Sequence, residues 1–304
     1  YSLRIVSMFS ISRKAKDQFV AWTFLSPAVV YLLVLFIFPL LFSLLITFTN
    51  MRLLAPEIEF VGLKNWQRLI SDDNARIVMM NTMIFAVLGS LAQYFIGLLL
   101  AVLLNKELKG YKFFRVTFLL PMMMAPVAVS YVIGKMVFSE TFGPFNDMLF
   151  TMGLPLFMWG TSSLKSMLLI IIIDSWTNIP FFVLVLLASL EAIPTDMYEA
   201  AEVDGASEWQ RFWYITWPLV LPASITTYII RALNAFQIID VIRVVTGGGP
   251  GNSTESVTLY AYDLGIKGQD IAYAATVSFS LLIVVLLFVF LVRAVGNQIV
   301  PKFE

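Results

Sequence analysis

Long apolar runs separated by short polar segments dominate the pattern along the chain. A helix crossing the hydrocarbon core of a bilayer needs about 20 mostly apolar residues at 1.5 Å rise each. Six stretches qualify, over residues 19–48, 77–104, 114–138, 167–190, 219–242 and 271–292. Asp174 and Asn178 interrupt the fourth, and Arg231, Asn234 and Gln237 the fifth. Pro126 and Pro180 fall inside spans, where each is expected to kink its helix and free carbonyls for a neighbour or a ligand. The pattern predicts an all-α membrane protein with six transmembrane helices. Tails over 1–18 and 294–304 flank a transmembrane region over 19–293.

Lys and Arg in short flanking segments set the orientation of such a chain. Arg4, Arg13, Lys14 and Lys16 precede the first span, and Lys106, Lys109, Lys112 and Arg115 follow the second. The connection over 139–164 carries none. With an even number of spans, both ends are expected in the cytoplasm. The segment over 191–217 is cytoplasmic by parity, yet it holds six acids and only Arg211. Acids weigh little in topology, so this segment calls for another role, such as a docking surface.

Composition narrows the function. Apolar residues make up 59% of the 304 and charged residues 13%, whereas a soluble domain carries about 25% charged residues to cover its surface. Lipid is therefore the solvent for much of the chain. Equal numbers of basic and acidic residues, 20 each, do not fit a nucleic-acid partner. With no Cys and no His, disulfides, thiolate metal sites, thiol nucleophiles and histidine acid–base chemistry are excluded. No cleavable secretory signal is expected either, because the first apolar run is too long and no small-residue cleavage site follows it.

The segment over 191–218 reads as two short helices around a turn. Pro194 and Thr195 form a helix start, with Asp196 favourable near the positive dipole end. Good helix formers come next in Glu199, Ala200, Ala201 and Glu202. Gly205 permits a sharp turn, and Ser207 with Gln210 fits a capping box that opens a second helix. Pro218 and Pro222 stiffen the return to the membrane. Trp209, Trp213 and Trp217 repeat every four residues, as anchors beside the bilayer would.

Glu199-Ala200-Ala201, then Gly205, Ile215 and Pro218 resemble the EAA motif of the permease subunits of ATP-binding-cassette (ABC) importers, with Trp217 where that family usually has Leu. The runs FVGLKNW (60–66), FGPFN (142–146), DSWTNIPFF (174–182) and TGGGPGNST (246–254) are similar to segments of the maltose-transporter-like branch. The resemblance implies a type I importer permease fold with a cytoplasmic coupling helix, carried by Glu199, Ala200, Ala201, Asp204 and Gly205. It further implies a bacterial inner-membrane assembly that brings a carbohydrate, an oligosaccharide by that branch, into the cell. Its partners would be a second related permease, two ATPase subunits that bind ATP and Mg, and a periplasmic solute-binding protein. This chain would bind no cofactor or metal and catalyse nothing. It has no GxxxxGK[ST] phosphate loop.

Two polar stripes lie inside the spans. Asp174, Thr177, Asn178 and Phe181 share one helical face at spacings of three and four, and Arg231, Asn234 and Gln237 form a similar stripe on the next helix. Intramembrane polar groups are expensive and normally face protein or a wet path. One reading has Asp174, Thr177, Asn178, Phe181, Asn234 and Gln237 lining the solute path. The other has Asp174 paired to Arg231 as interhelical glue, and this is the preferred reading for that pair. An ion-coupled secondary transporter or channel working through Asp174 or Asp240 is the alternative function. An intramembrane carboxylate enzyme is a third, set back by the different depths of those two acids.

Overall fold

The computed structural model describes residues 13–54, 57–105 and 116–299. Of the basic residues that orient the chain, Arg4, Lys106, Lys109, Lys112 and Arg115 lie outside the described residues. Helices account for most of the described residues, and an isolated antiparallel bridge joins Thr49 to Phe60. Five helices are long and apolar enough to span a membrane: α1 (Val20–Ile46), α3 (Asp73–Leu104), α7 (Ser163–Glu191), α9 (Glu208–Phe236) and α12 (Ile271–Ile299). A bent pair, α4 (Val116–Met123) and α5 (Pro126–Val137), which meet at 99°, is long and apolar enough only when taken together, as a broken span or a re-entrant loop. Shorter helices fill the connections: α2 (Lys64–Ser71), α6 (Pro144–Thr151), α8 (Thr195–Val203), α10 (Asp240–Val245) and α11 (Val257–Tyr262).

Proline explains where the third span departs from the straight helix that hydropathy suggests. Pro126 disfavours the helical region for the residue before it, and both Met124 and Ala125 are extended. The chain therefore breaks rather than bends. Pro180, by contrast, sits within an unbroken α7. In α1 and α9, the wider π turns Leu33–Ile37 and Phe212–Thr216 lie just ahead of Pro39 and Pro218. A proline removes one i→i−4 bond and crowds the carbonyl four residues back, and a π turn re-spaces the carbonyls there. The fifth span thus begins at Glu208, eleven residues before its expected start at 219, and ends at Phe236 rather than 242.

The bundle is held by α3, α7 and α9. Tyr94, Leu98 and Ala101 of α3 interlock with Phe182, Leu186, Leu187 and Leu190 of α7 and Val220 of α9. The approach is close: a Cβ on Gly97 would stand 2.4 Å from Phe182 Cβ. A second core joins Phe85 of α3, Ile170 and Ile173 of α7, Phe236 of α9 and Phe288 of α12. Helix α1 packs on α12 through its Phe38–Ile46 half.

The family-like loop segments act as closures at one end of the bundle. Asn65 of FVGLKNW donates to the Thr47 and Thr49 carbonyls at 2.9 and 2.8 Å, capping the end of α1. Asn146 of FGPFN accepts from the Phe157 amide at 2.8 Å. In TGGGPGNST, Thr254 donates to the Gly249 carbonyl at 2.7 Å and shares a hydrogen with Thr246 at 2.8 Å. Asp72 caps α3 and accepts from the Tyr260 hydroxyl at 2.7 Å and from Tyr273. Burial raises the Asp72 carboxyl, but these donors outweigh it and hold it below its ordinary 3.8.

Glu255, beside the glycine loop, behaves oppositely. It is only 8% exposed, and burial, reinforced by Asp263 and opposed by Lys267, pushes its carboxyl from 4.5 to about 7. A folded-state pKa above the unfolded value means that the native state binds more protons between the two. The contribution to stability is complete below 4.5 and is lost as pH rises through about 7. Glu255→Gln cannot ionise, so its unfolding temperature should fall less steeply than that of the wild type across this window. Parallel profiles from thermal unfolding at stepped pH would show that Glu255 is not the titrating group.

Candidate functional site

A buried polar network ties α3, α7 and α9 together within the spans. Arg231 of α9 donates through Nη2 to Asp174 Oδ2 of α7 and through Nε to Gln93 Oε1 of α3, the latter at 2.9 Å. Gln93 Nε2 in turn donates to Asp174 Oδ2 at 2.7 Å and to Ser175 Oγ at 3.2 Å. Asp174 and Arg231 are 8% and 3% exposed, and Gln93 is fully buried. An ion pair at this depth is tolerable only when further hydrogen bonds satisfy both partners, and Gln93 bonds to both. The preferred sequence reading of Asp174 and Arg231 as a structural pair agrees with this geometry.

The remaining path candidates divide. Asn178 donates to the Asp174 carbonyl at 2.8 Å and to Asp174 Oδ1 at 3.1 Å, and Thr177 donates to the same carbonyl at 2.9 Å. Phe181 is half-buried next to Phe182. Asn234 and Gln237 are exposed, and among the described residues neither side chain bonds into the network. Gln237 is the capping residue of α9, one past its last helical residue Phe236. Beside Ser175, a cleft of about 510 Å³ opens near the break after α4, lined by Leu100, Phe118, Met124, Trp176 and Pro180. Sequence reasoning misses Gln93 because one amide in a long apolar run carries no periodic signal. Its position within that run is the only sequence clue to it.

At one end of the bundle, α7, α8 and α9 form the projecting hairpin expected from the sequence. Helix α8 begins after Pro194, which is in extended backbone, and has Asp196 in its first turn. It ends in a Schellman motif: the Gly205 amide donates to the Glu202 carbonyl at 3.0 Å and the Ala206 amide to Ala201 at 2.9 Å. Gly205 adopts φ +78°, the left-handed conformation that favours glycine. Ser207 and Gln210 make the complete capping box. The expected second short helix is not a separate element, because the capped turn runs directly into α9. Glu199, Ala200, Asp204 and Gly205 are exposed and Ala201 half-buried. Trp209, Trp213 and Trp217 pack in a ladder, with ring centroids 5.6 and 5.7 Å apart.

Long apolar helices packed around a buried ion pair, with a capped hairpin joining two of them, mark a polytopic membrane protein. The chain belongs to the family of binding-protein-dependent transport system inner membrane components, whose profile matches residues 93–304. It is 32% identical over 284 residues to the trehalose/maltose transport system permease protein MalF of Thermococcus litoralis, covering 93% of this chain and 96% of that one. Identity to the multiple sugar-binding transport system permease protein MsmF of Streptococcus mutans is 31% over 274 residues, covering 90% and 93%. The fold also matches a chain of a bacterial alginate ABC transporter, crystallised with its alginate pentasaccharide-bound periplasmic protein. That match has a TM-score of 0.83 at 22% identity and covers 96% of this chain and 98% of that one.

Proposed function

We propose that this chain is one of two related transmembrane subunits of an ATP-driven importer that moves a carbohydrate inward, docking on ATPase subunits through α8. The capped hairpin carries this reading. It presents Glu199, Ala200 and Gly205 on an exposed surface, small enough at Ala200 for another protein to approach closely. The hairpin sits at the end of the bundle opposite the loop closures, since α7 and α9 join there while α3 begins beside Asp72 at the other end. Arg13 and Ile299, the first and last described residues, lie on the hairpin side, which this reading assigns to the cytoplasm, and the closures would face a solute-delivering binding protein. One hairpin per chain calls for a second permease on a paired ATPase. The sugar-related names of the relatives support a carbohydrate, and Trp176 in the cleft beside Ser175 offers an apolar ring for a sugar face. Pairing of Asp174 with Arg231 speaks against Asp174 as a coupling-ion site.

The test is reconstitution. Co-expressed with a related permease and an ATPase, the chain should purify with two ATPase copies and hydrolyse no ATP alone. A fully active homodimer would remove the second-permease part. Within the complex, Asn234→Ala and Gln237→Ala should slow carbohydrate uptake several-fold, since each lost bond to solute costs about 0.5–1.5 kcal/mol. Asn178→Ala should also slow uptake and lower the unfolding temperature, because Asn178 bonds Asp174 as well. Normal uptake by all three variants would make these amides purely structural.

A further inference from the structure

We propose that Tyr198 and Thr216 are positioning residues that lock α8 to α9, so that the docking helix moves with the span behind it. The inference rests on the reading of α8 as the docking helix. Helix α8 has nine residues and none of them is buried, so core packing does not set its orientation. Isolated helices of this length are marginal in water. On one flank, α8 borders an open cleft of about 600 Å³ that Tyr198 and Thr216 line together with Phe95, Leu99 and Val102 of α3. Two side-chain tethers bridge from α8 to α9. Tyr198 Oη and Thr216 Oγ1 lie 2.9 Å apart, and Glu202 pairs with Arg211 at 3.2 Å.

The two tethers differ in kind. Glu202 is 72% exposed, and an ion pair so open to water holds little against salt and side-chain entropy. Thr216 is 7% exposed, so its hydroxyl depends on protein partners. Its hydroxyl lies 3.5 Å from the Arg211 carbonyl, a long contact beside the 2.9 Å bond to Tyr198, in which either hydroxyl can donate. The Arg211 carbonyl precedes the π turn Phe212–Thr216, so the bond falls where the helix geometry changes. From Thr216, α9 continues as one helix to Arg231 in the buried network. That separation is fifteen residues, or about 22 Å of helix. A shift of the network is thereby placed on the same rod as the docking helix.

The chain has no cysteine, so spin labels at Val203→Cys on α8 and Thr226→Cys on α9 report their separation without background. Both sites are exposed. In the permease alone, the distance distribution should be narrow. Tyr198→Phe and Thr216→Val should each broaden it, their combination should broaden it no further, and Thr216→Ser should keep the wild-type width. Without labels, retention of ATPase subunits should fall by about twofold to tenfold in Tyr198→Phe and Thr216→Val, the range one hydrogen bond supports. Thr216 is 7% exposed and offers a partner far less surface than Tyr198, so its variant weighs positioning against direct contact, and it carries the test if Tyr198→Phe does not insert. Wild-type width in Thr216→Val overturns the proposal, even with a lowered unfolding temperature. So does unchanged ATPase retention in that variant while Glu199→Lys loses the subunits. Retention by Glu199→Lys itself would overturn the docking reading instead and leave the distance result standing.

Discussion

Gly205→Val and Gly205→Pro should give a permease that inserts in the membrane but neither holds ATPase subunits nor transports. The reason is conformational rather than steric. Gly205 stands at φ +78° with nothing within 4 Å of an added Cβ, so a side chain has room but the backbone does not suit it. An L-residue in the left-handed region costs about 1–2 kcal/mol, and a β-branched one is a stronger outlier. Proline is worse still. It fixes φ near −65° and deletes the N–H that donates to the Glu202 carbonyl. Either change swings α8 away from the entry direction of α9. Gly205→Asn, which tolerates this conformation, should retain most function, and Gly205→Ala should fall between. Glu199→Lys should leave the hairpin intact but reverse an exposed charge on the surface proposed for docking. Since 1.4 kcal/mol is tenfold in an equilibrium, its loss should be plain in co-purification and in solute-stimulated ATP hydrolysis. Wild-type behaviour in both Gly205→Val and Glu199→Lys would end the coupling assignment.

The hairpin is legible in the sequence because every step in it is local. Pro194, the Ser207–Gln210 box and Gly205 each fix backbone within four residues, and those are the distances over which sequence patterns speak directly. The long spans are legible because hydropathy is a sum over about 20 residues. Hydropathy carries no direction, however, so it does not show that Met124 and Ala125 are extended or that α4 and α5 meet at 99°. The start of α9 is hidden for a related reason. The acids before Arg211 and the prolines at 218 and 222 look like a boundary, whereas the π turn lets the helix run through them. Asn234 and Gln237 share one stripe only if the helix carries on through 237. It ends at Phe236, which puts Gln237 at the cap rather than inside the helix. Gln93 lies 81 residues from Asp174, and only packing reveals that contact.

Removing Asp174 should damage the protein more than removing Arg231, although the two are partners in one ion pair. Both are nearly enclosed, at 8% and 3% exposure. Breaking a buried pair by deleting one member typically costs about 3–5 kcal/mol, because the survivor is left charged and unpaired. The survivors are not equivalent. A carboxyl can take a proton and become neutral, whereas a guanidinium stays charged at any accessible pH. In Asp174→Ala, Arg231 keeps only the Gln93 carbonyl, and Gln93 and Asn178 both lose an acceptor. In Arg231→Met, Asp174 still has Gln93 and Asn178 as donors, and the methionine fills much of the vacated volume. Thermal unfolding in lipid nanodiscs should therefore rank the wild type above Arg231→Met and Arg231→Met above Asp174→Ala. The double change Asp174→Leu with Arg231→Met should recover part of the loss, since replacing both ions with apolar groups of similar shape leaves no orphaned charge. Equal unfolding temperatures for Asp174→Ala and the wild type would mean that water reaches Arg231 and the network is not sealed. A double variant less stable than Asp174→Ala alone would mean that the polar groups here serve packing specificity more than charge compensation.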